Sequence, residues 1–294
     1  MPLDLKIKFS LSRIEQWYRE FEGKVYISFS GGKDSTVLLH IVRSKFPDVE
    51  AVFADTGLEY PEIRSFVKTI DNVTWVKPKM PFNKVIEKYG YPIVSKEVAK
   101  SIHDIRNTKS DYLRNKRING VSCNKSGKNY SKQKTGKIAE KWKPLIDAPF
   151  KISDRCCNVM KKAPLAKYEN KTKKKPFIGS MACESNNRLR VYLNTGCNAF
   201  DAKKPKSTPL AFWSEEDIWS YIKKYDVSYS KIYDMGYKRT GCMFCMFGLQ
   251  YEPSDLFRKN RFQIMKETHP KQYKYCVEKL GCGRVLDFMN ISYT

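Results

Sequence analysis

Residues 25–42 decide the fold, and they read VYISFSGGKDSTVLLHIV. The first five are mostly apolar, as in a strand buried in a parallel sheet, and the last seven favour a buried helix. Ser30-Gly31-Gly32-Lys33-Asp34-Ser35 lies between them. The two glycines permit a tight turn, and the start of the helix offers unpaired N–H groups. The stretch therefore predicts a strand, an anion-binding loop and a helix.

The loop carries side chains that suit a phosphate group. Ser30, Ser35 and Lys33 can donate hydrogen bonds to phosphate oxygens, and the helix N-terminus adds a positive dipole end. Asp34 repels an anion unless a cation intervenes, so a Mg²⁺ ligand and a structural role both fit it. The alternative is a plain glycine turn, which six specific residues at this junction disfavour. The P-loop NTPase and dinucleotide-binding glycine patterns are absent from the sequence.

Strands and helices alternate around this stretch, which predicts an α/β fold with a parallel sheet and helices on both faces. We expect the flanking strands at 49–54, 73–76 and 176–179 and the helices at 11–21, 61–70 and after Ser214, with Asp217 as the capping-box partner of Ser214.

Composition limits the kind of protein. The 294 residues are 41% hydrophobic, which excludes a mostly disordered chain. No apolar run is long enough to span a membrane, and the first residues lack a signal-peptide pattern, so we expect a cytoplasmic protein. Lys and Arg number 55 against 31 acidic residues, a net charge of +24. Such an excess favours an anionic partner, either a nucleotide or a nucleic acid.

The charge is densest in one segment. Residues 109–143 hold eleven Lys or Arg and two acidic residues, so we predict an exposed basic insertion at about 106–145. Its lysines are interpreted as a solvated face or, alternatively, as a footprint for a nucleic-acid backbone. We expect a nucleotide-binding domain at 1–235 that contains this insertion. A C-terminal segment at 236–294 follows, with a C-x-x-C pair and closing helices.

Four of the nine cysteines are clustered: Cys156, Cys157, Cys242 and Cys245. Adjacent cysteines rarely share one tetrahedral zinc, whereas a [4Fe–4S] cluster takes one thiolate per iron from more widely spaced positions. Basic neighbours such as Arg155 can offset thiolate charge. We rank a [4Fe–4S] cluster first, zinc second and ordinary core cysteines third.

Several stretches resemble one known family. Residues 28–35 resemble the PP-loop of the N-type ATP pyrophosphatases. Residues 55–62, 209–219 and 229–245 resemble the phosphoadenosine phosphosulfate (PAPS) reductase branch, and the matches run in order along the chain. The resemblance implies an adenine nucleotide alpha hydrolase-like fold, with the nucleotide across the carboxyl ends of the parallel strands.

The resemblance also implies which residues form the site. Residues 179–188 resemble the second phosphate-side loop, although Met181-Ala182-Cys183 departs from the reductases. The nucleotide-binding residues implied in this way are Ser28, Ser30, Gly31, Gly32, Lys33, Asp34, Ser35, Asp55, Thr56, Gly57, Gly179 and Arg188. Iron–sulfur members of the PAPS and adenosine phosphosulfate (APS) reductase family carry a tandem cysteine pair and, about eighty residues on, a C-x-x-C. The clustered cysteines match that pattern.

Three functions fit the resemblance. The first is an ATP pyrophosphatase that uses ATP and Mg²⁺ to adenylate an acceptor for sulfur transfer, as in the DndC-like proteins of DNA phosphorothioation and in tRNA thiolation. Its catalytic residues would be Lys33, Asp34 and Ser35, and a cysteine desulfurase could deliver the sulfur. The second is a reductase that releases sulfite from APS or PAPS. The third is a subunit that binds a nucleotide and a cluster without turnover.

Two features favour the first function. The reductases carry a nucleophilic cysteine in a Glu-Cys-Gly-x-His segment. Here the nearest match is Gly281-Cys282-Gly283-Arg284, which runs into a stretch that predicts a packed helix. In the reductases the sequence of the PP-loop also tends to be altered, whereas the motif is intact here at residues 30–35.

Overall fold

The computed structural model describes residues 1–123, 130–255 and 257–294. The strands in these ranges are β1 Val25–Phe29, β2 Ala51–Ala54, β3 Val73–Val76, β4 Ile93–Val94, β5 Val121–Cys123, β6 Tyr130–Thr135, β7 Lys175–Ile178, β8 Asn198–Ala199, β9 Lys206–Ser207 and β10 Met246–Phe247. The α-helices are α1 Leu3–Glu20, α2 Lys33–Lys45, α3 Pro61–Lys68, α4 Phe82–Tyr89, α5 Lys96–Asn107, α6 Asp111–Asn119, α7 Ala163–Thr172, α8 Asn186–Thr195, α9 Glu215–Tyr225, α10 Arg261–Thr268, α11 Pro270–Lys274 and α12 Cys282–Phe288.

These elements form two compact units. The first unit contains residues 1–79 and 161–241, and the second contains residues 80–160 and 242–294. This division differs from the predicted domains, 1–235 and 236–294, because residues 80–160 pack with the C-terminal part of the chain. Short parallel pairing of β4 with β10 joins these two segments, and a two-residue strand gives too weak a periodic signal to be recognised in sequence.

A six-stranded sheet forms the centre of the first unit, in the order β3-β2-β1-β7-β9-β8. All neighbours are parallel except β8, which runs antiparallel to β9. β1 lies between β2 and β7, so the chain changes direction across the sheet at β1. In such α/β sheets this is where ligands bind, outside the carboxyl ends of the strands.

Helices cover both faces of this sheet, which confirms the predicted α/β fold. On one face, Tyr168 of α7 packs with Tyr26 of β1 and Val52 of β2. Alternate residues of β1 point to the other face, where the ring centroid of Phe29 lies 6.5 Å from that of Phe66 in α3. This double burial explains why β1 is almost continuously apolar.

The first helix was predicted to start near Leu11, but α1 begins at Leu3. Leu5 and Phe9 are exposed, so the early residues show no apolar face that a periodicity argument could detect. Tertiary polar contacts stabilise the extra turns instead. Ser10 donates to the carbonyl oxygen of Pro209 at 2.9 Å and accepts from the indole nitrogen of Trp213 at 3.0 Å.

The predicted basic insertion is only partly exposed where the structure describes it; residues 124–129 lie outside the described part. α6 buries no residue, in agreement with a solvated face. The carboxyl end of the insertion is packed, however, because Ile138 and Leu145 are only 3% exposed. Arg106 stabilises residues 145–150. Its guanidinium donates to four carbonyl oxygens at 2.6–2.9 Å, those of Leu145, Ile146, Ala148 and Phe150.

No helix within the described ranges has both the length and the apolar character needed to cross a membrane.

The capping box of α9 generates a stability prediction. Ser214 accepts from the amide of Asp217 at 3.3 Å, and the Asp217 carboxylate accepts from the amide of Ser214 at 2.7 Å. Ser214→Ala should lower the free energy of unfolding by about 1 kcal/mol, measured by urea denaturation, because a helix N–H loses its acceptor. Ser214→Gly should cost only a few tenths of a kcal/mol. Equal losses for both variants would contradict the capping role.

Candidate nucleotide site and cysteine cluster

The turn between β1 and α2 is closed by the hydroxyl of Ser35. It accepts from the amide of Ser30 at 3.2 Å and donates to the carbonyl oxygen of Gly32 at 2.9 Å. The Ser30 hydroxyl lies 3.0 Å away. α2 begins at Lys33, earlier than its apolar residues indicated. Lys33, Asp34 and Ser35 therefore form its first turn, where N–H groups lack partners within the helix.

Both loop glycines meet a steric requirement. Gly31 has a φ of +72°, a conformation that disfavours other residues. A Cβ atom at Gly32 would lie 2.5 Å from Oγ1 of Thr240. The loop is therefore enclosed by the segment that precedes Cys242, and any side chain at Gly32 would push that segment away.

Lys33 is held inside this enclosure by acidic and polar groups. Its side chain is 6% exposed, and its Nζ lies 3.2 Å from Glu215 and 3.6 Å from Asp34. Burial acts to lower the pKa of Lys33, but Asp34, Tyr233 and Glu215 outweigh it and the pKa is raised. Lys33 therefore stays positively charged at neutral pH, as phosphate binding requires.

Tyr233 was not predicted as a site residue, yet it contacts the loop directly. The amide of Lys33 donates to the Tyr233 hydroxyl at 2.8 Å, and that hydroxyl lies 3.3 Å from Oγ1 of Thr240. Burial raises the pKa of Tyr233. The signal was present in sequence, since Tyr233 lies inside the stretch 229–245 that resembles the family.

Asp34 is a partly buried carboxylate whose Oδ1 atom lies out of contact with solvent. Burial raises its pKa although Lys33 acts against this, and Glu215 raises it further. Its Oδ1 has no hydrogen-bond partner among the described residues. A divalent cation beside Asp34 would supply the missing charge, so this side chain fits a Mg²⁺ ligand.

The predicted residues after β2 mostly bond within their own turn. Asp55 pairs with Arg64 at 3.0 Å and accepts from the amide of Gly57 at 3.2 Å. Thr56 donates to Glu59 through its amide at 2.9 Å and its hydroxyl at 2.7 Å. The side chain that this turn directs to the neighbouring cavity is that of Glu59, which sequence reasoning did not single out.

A cavity of about 90 Å³, open to solvent, lies at the carboxyl ends of β1 and β2. Its lining includes Ser28 and Ser30, both predicted site residues, together with Glu59, Lys161 and Thr240. The remaining walls are mostly apolar and come from the two strands and from α3 and α7. A mostly apolar cavity beside an anion-binding loop suits the sugar or base of a nucleotide whose phosphates the loop binds.

The two predicted residues of the second phosphate-side loop lie near α2. Gly179 packs against the backbone, since a Cβ there would lie 3.0 Å from the carbonyl oxygen of Asp34. Arg188 forms an ion pair with Glu184. Burial and the nearby Arg239 lower the pKa of Arg188, while Asp34 favours its charged form. Both residues are thus close to the loop, and Arg188 has an acidic partner already.

The four clustered cysteines all belong to the second unit. The amide of Cys245 donates to the carbonyl oxygen of Cys242 at 3.1 Å, and β10 follows at once. Burial raises the pKa of Cys245 to about 11, and the charges of Cys242 and Cys157 raise it further. Cys242 and Cys157, one from each cysteine pair, are therefore close enough to Cys245 to raise its pKa.

The four cysteines can be compared with the requirements of a single metal ion and with those of an iron–sulfur cluster. Among the described residues, no three Cys, His, Asp or Glu side chains are arranged to hold a single metal ion. A [4Fe–4S] cluster sets a different requirement, because each thiolate binds its own iron at a separate corner. A raised thiol pKa is what cationic iron would reverse. The donor types, four cysteines in one unit, thus fit a cluster.

Cys282 is buried and does not resemble a mobile nucleophile. It has no exposed surface, and it begins α12 beside Val285 and Leu286, which are also buried. Cys276 is equally buried. Its hydrogen bond with Cys282 and its burial raise the pKa of Cys276. The predicted packed helix after Cys282 is confirmed.

The raised pKa of Cys245 predicts slow alkylation in metal-free protein. A thiol of pKa about 11 is mostly protonated at pH 8, and only the thiolate reacts. Iodoacetamide labelling of Cys245, followed by peptide mass spectrometry, should therefore be slow at pH 8 and rise about tenfold per pH unit up to pH 10. Exposed Cys183 serves as the reference site. A Cys245 rate that is flat between pH 8 and 10 would contradict the assignment.

Individual relatives match most of this chain at modest sequence identity. The chain is 29% identical over 279 residues to the protein named MJ0973 from Methanocaldococcus jannaschii, covering 93% of this chain and 52% of that protein. It thus spans about half the length of this relative. It is 26% identical to an adenosine 5′-phosphosulfate reductase from Geobacillus kaustophilus, over 87% of this chain and 86% of the relative.

Two solved structures are also similar. A PAPS reductase from Candida auris has a TM-score of 0.45 and 16% identity, covering 79% of this chain and 87% of its own. The U34-tRNA thiolase NcsA from Methanococcus maripaludis, solved with its [4Fe–4S] cluster, has a TM-score of 0.40 and 13% identity, covering 98% and 80%.

The family comparison covers most of the chain. The model of the phosphoadenosine phosphosulfate reductase domain matches residues 24–110 and 94–247. These matches contain the loop at 30–35, the turn after β2 and all four clustered cysteines. The chain therefore belongs to the phosphoadenosine phosphosulfate reductase domain family.

Proposed function

We propose that this protein is an ATP pyrophosphatase that activates an acceptor for sulfur transfer. The observation that carries the proposal is the intact loop at residues 30–35, with its amides in the first turn of α2 and the charged Lys33 enclosed beside it. An enzyme that does not split a pyrophosphate bond would not need this loop to bind a leaving pyrophosphate.

The proposed reaction follows from the charges at the loop. An oxygen of the acceptor attacks the α-phosphorus of ATP, and the bond from that phosphorus to the bridging oxygen of the β-phosphate breaks. Pyrophosphate leaves with the electron pair of that bond. Negative charge grows on the leaving phosphates, where the charged Lys33 and the positive dipole end of α2 would stabilise it. A sulfur nucleophile then replaces AMP on the acceptor.

Asp34 has a separate role in this proposal. Mg²⁺ bound there would neutralise part of the phosphate charge. The residue itself orients that cation next to Lys33, and Lys33 in turn keeps Asp34 from repelling the nucleotide. The raised pKa of Asp34 supports this assignment, because a group that is costly to ionise when alone gains most from a bound cation.

We assign a [4Fe–4S] cluster to Cys156, Cys157, Cys242 and Cys245. The electrostatic coupling of Cys245 with Cys242 and Cys157 supports this assignment. When bound, such a cluster could supply redox chemistry or a site for sulfur. The four residues would hold it as thiolates, and their location in one unit means that no rearrangement between units is needed to assemble them.

The acceptor in this proposal is a nucleic acid, either DNA or tRNA, and the sulfur donor is a cysteine desulfurase. The net charge of +24 supports a polyanionic acceptor. The side chains of α6 are unburied and include Arg114 and Lys116, so part of this charge is displayed on the surface of the second unit.

A second candidate is a sulfonucleotide reductase, which the names of several relatives favour. That reaction needs an accessible thiolate to attack the sulfur of APS or PAPS. Cys282 and Cys276 are buried, and the pKa of Cys276 is raised, so neither is suited to the attack. Outside the four clustered cysteines, Cys183 is an exposed thiol among the described residues and could serve such a reaction.

Lys33→Ala tests the proposed reaction. With ATP, Mg²⁺ and nucleic acid, the variant should release pyrophosphate at least 100-fold more slowly, about the cost of losing one charge-stabilising donor. The readout is an enzyme-coupled pyrophosphate assay. Lys24→Ala is the matched control, because Lys24 is exposed and pairs only with Glu22 at the surface.

Two results would contradict the proposal. One is full activity in Lys33→Ala. The other is sulfite release from APS with thioredoxin by wild-type protein that yields no pyrophosphate from ATP, which would establish the reductase instead.

Metal analysis tests the cluster. Protein purified without oxygen should contain about four irons per chain. Cys157→Ser and Cys245→Ser should lose most of this iron, whereas Cys183→Ser, which changes an exposed thiol of the first unit, should keep it. A single zinc per chain would overturn the assignment.

A further inference from the structure

The cavity beside the phosphate loop contains one buried acidic group whose role the proposed function does not define. Glu59 is 7% exposed, and it lines the cavity together with Ser28 and Ser30 from the end of β1. Of the lining residues, two carry charge, Glu59 and Lys161. The Lys161 Nζ lies 3.9 Å from the Glu59 carboxylate, so the two charges offset each other.

Glu59 is fixed in position rather than free to swing away. One carboxylate oxygen accepts from the amide of Thr56 at 2.9 Å, and the other accepts from the Thr56 hydroxyl at 2.7 Å. The Thr56 hydroxyl in turn accepts from the amide of Leu58 at 3.2 Å. These bonds use one lone pair on each carboxylate oxygen. Each oxygen can therefore accept a further hydrogen bond from a ligand in the cavity.

A carboxylate in this place distinguishes two kinds of ribose. In dinucleotide-binding sites, an acidic side chain accepts from ribose hydroxyls, while a phosphorylated ribose needs a basic residue instead. With phosphates at residues 30–35, the ribose must enter the cavity next to Ser30, on the side where Glu59 lies. A 3′-phosphate there would meet a fixed negative charge, and Lys161, the cationic residue among those that line the cavity, already has a partner in Glu59.

We propose that this cavity selects adenine nucleotides whose ribose hydroxyls are both free, such as ATP or APS, and rejects 3′-phosphorylated nucleotides, with Glu59 as the residue that discriminates. The inference rests on the proposed nucleotide site, but not on which reaction occurs there. The substrate class is thus defined by the free hydroxyls of its ribose.

The test compares two small ligands that need no turnover, AMP and adenosine 3′,5′-bisphosphate, by isothermal titration calorimetry. Wild-type protein should bind AMP at least tenfold more tightly, because the extra phosphate faces the Glu59 carboxylate. Glu59→Gln should reduce the difference to less than threefold, chiefly by strengthening the bisphosphate complex. Glu22→Gln, the same change at an exposed position, should leave the ratio at its wild-type value.

The outcomes separate this inference from the proposed function. Equal or tighter binding of the bisphosphate to wild-type protein overturns it, and so does failure of both ligands to bind at millimolar concentration. The wild-type ratio stands as a test even if Glu59→Gln misfolds. A preference for AMP without pyrophosphate release from ATP would reject the proposed function alone, and pyrophosphate release without the preference would reject this inference alone.

Discussion

The hydroxyl of Ser35 holds the turn on which the candidate site depends. It bonds to the amide of Ser30 and the carbonyl oxygen of Gly32, and so joins the end of β1 to the first turn of α2. Parallel pairing of β1 with β2 and β7 keeps that strand at the centre of the sheet. The same turn therefore places the N-terminus of α2, with its positive dipole end, at the edge where the strands end, and this placement favours anion binding.

Around this turn, the loop and the neighbouring cavity have different properties. The loop and Lys33 provide positive charge in an enclosed position, balanced by Asp34 and Glu215. The cavity at the ends of β1 and β2 is mostly apolar and holds one offset ion pair. A nucleotide has the same division, with charged phosphates at one end and an apolar base at the other. The proposed selection at the ribose lies where the two parts meet.

Local sequence was enough to predict the parts of the site that come from consecutive residues. The loop at 30–35 and the capping box at Ser214 each combine specific residue types at a fixed spacing, so both could be identified without a structure. Long-range contacts could not. Tyr233 reaches the Lys33 amide across 200 residues, and Glu59 is directed to the cavity by bonds to Thr56 that no periodicity reports.

The two-unit division was missed for a similar reason. Residues 80–160 associate with residues 242–294 through the two-residue strands β4 and β10 and through a bond from the Tyr91 hydroxyl to the carbonyl oxygen of Leu280 at 2.7 Å. Neither contact has a local pattern. The grouping nevertheless has a consequence that the sequence did suggest, since it brings both cysteine pairs into one unit.

Hydrogen–deuterium exchange with a non-hydrolysable ATP analogue and Mg²⁺ tests most directly whether residues 30–35 hold the phosphates. Peptides covering residues 28–39 should exchange more slowly when the analogue is bound, and pyrophosphate alone should give the same protection there. Unchanged exchange in these peptides, with protection elsewhere in the chain, would contradict phosphate binding by residues 30–35.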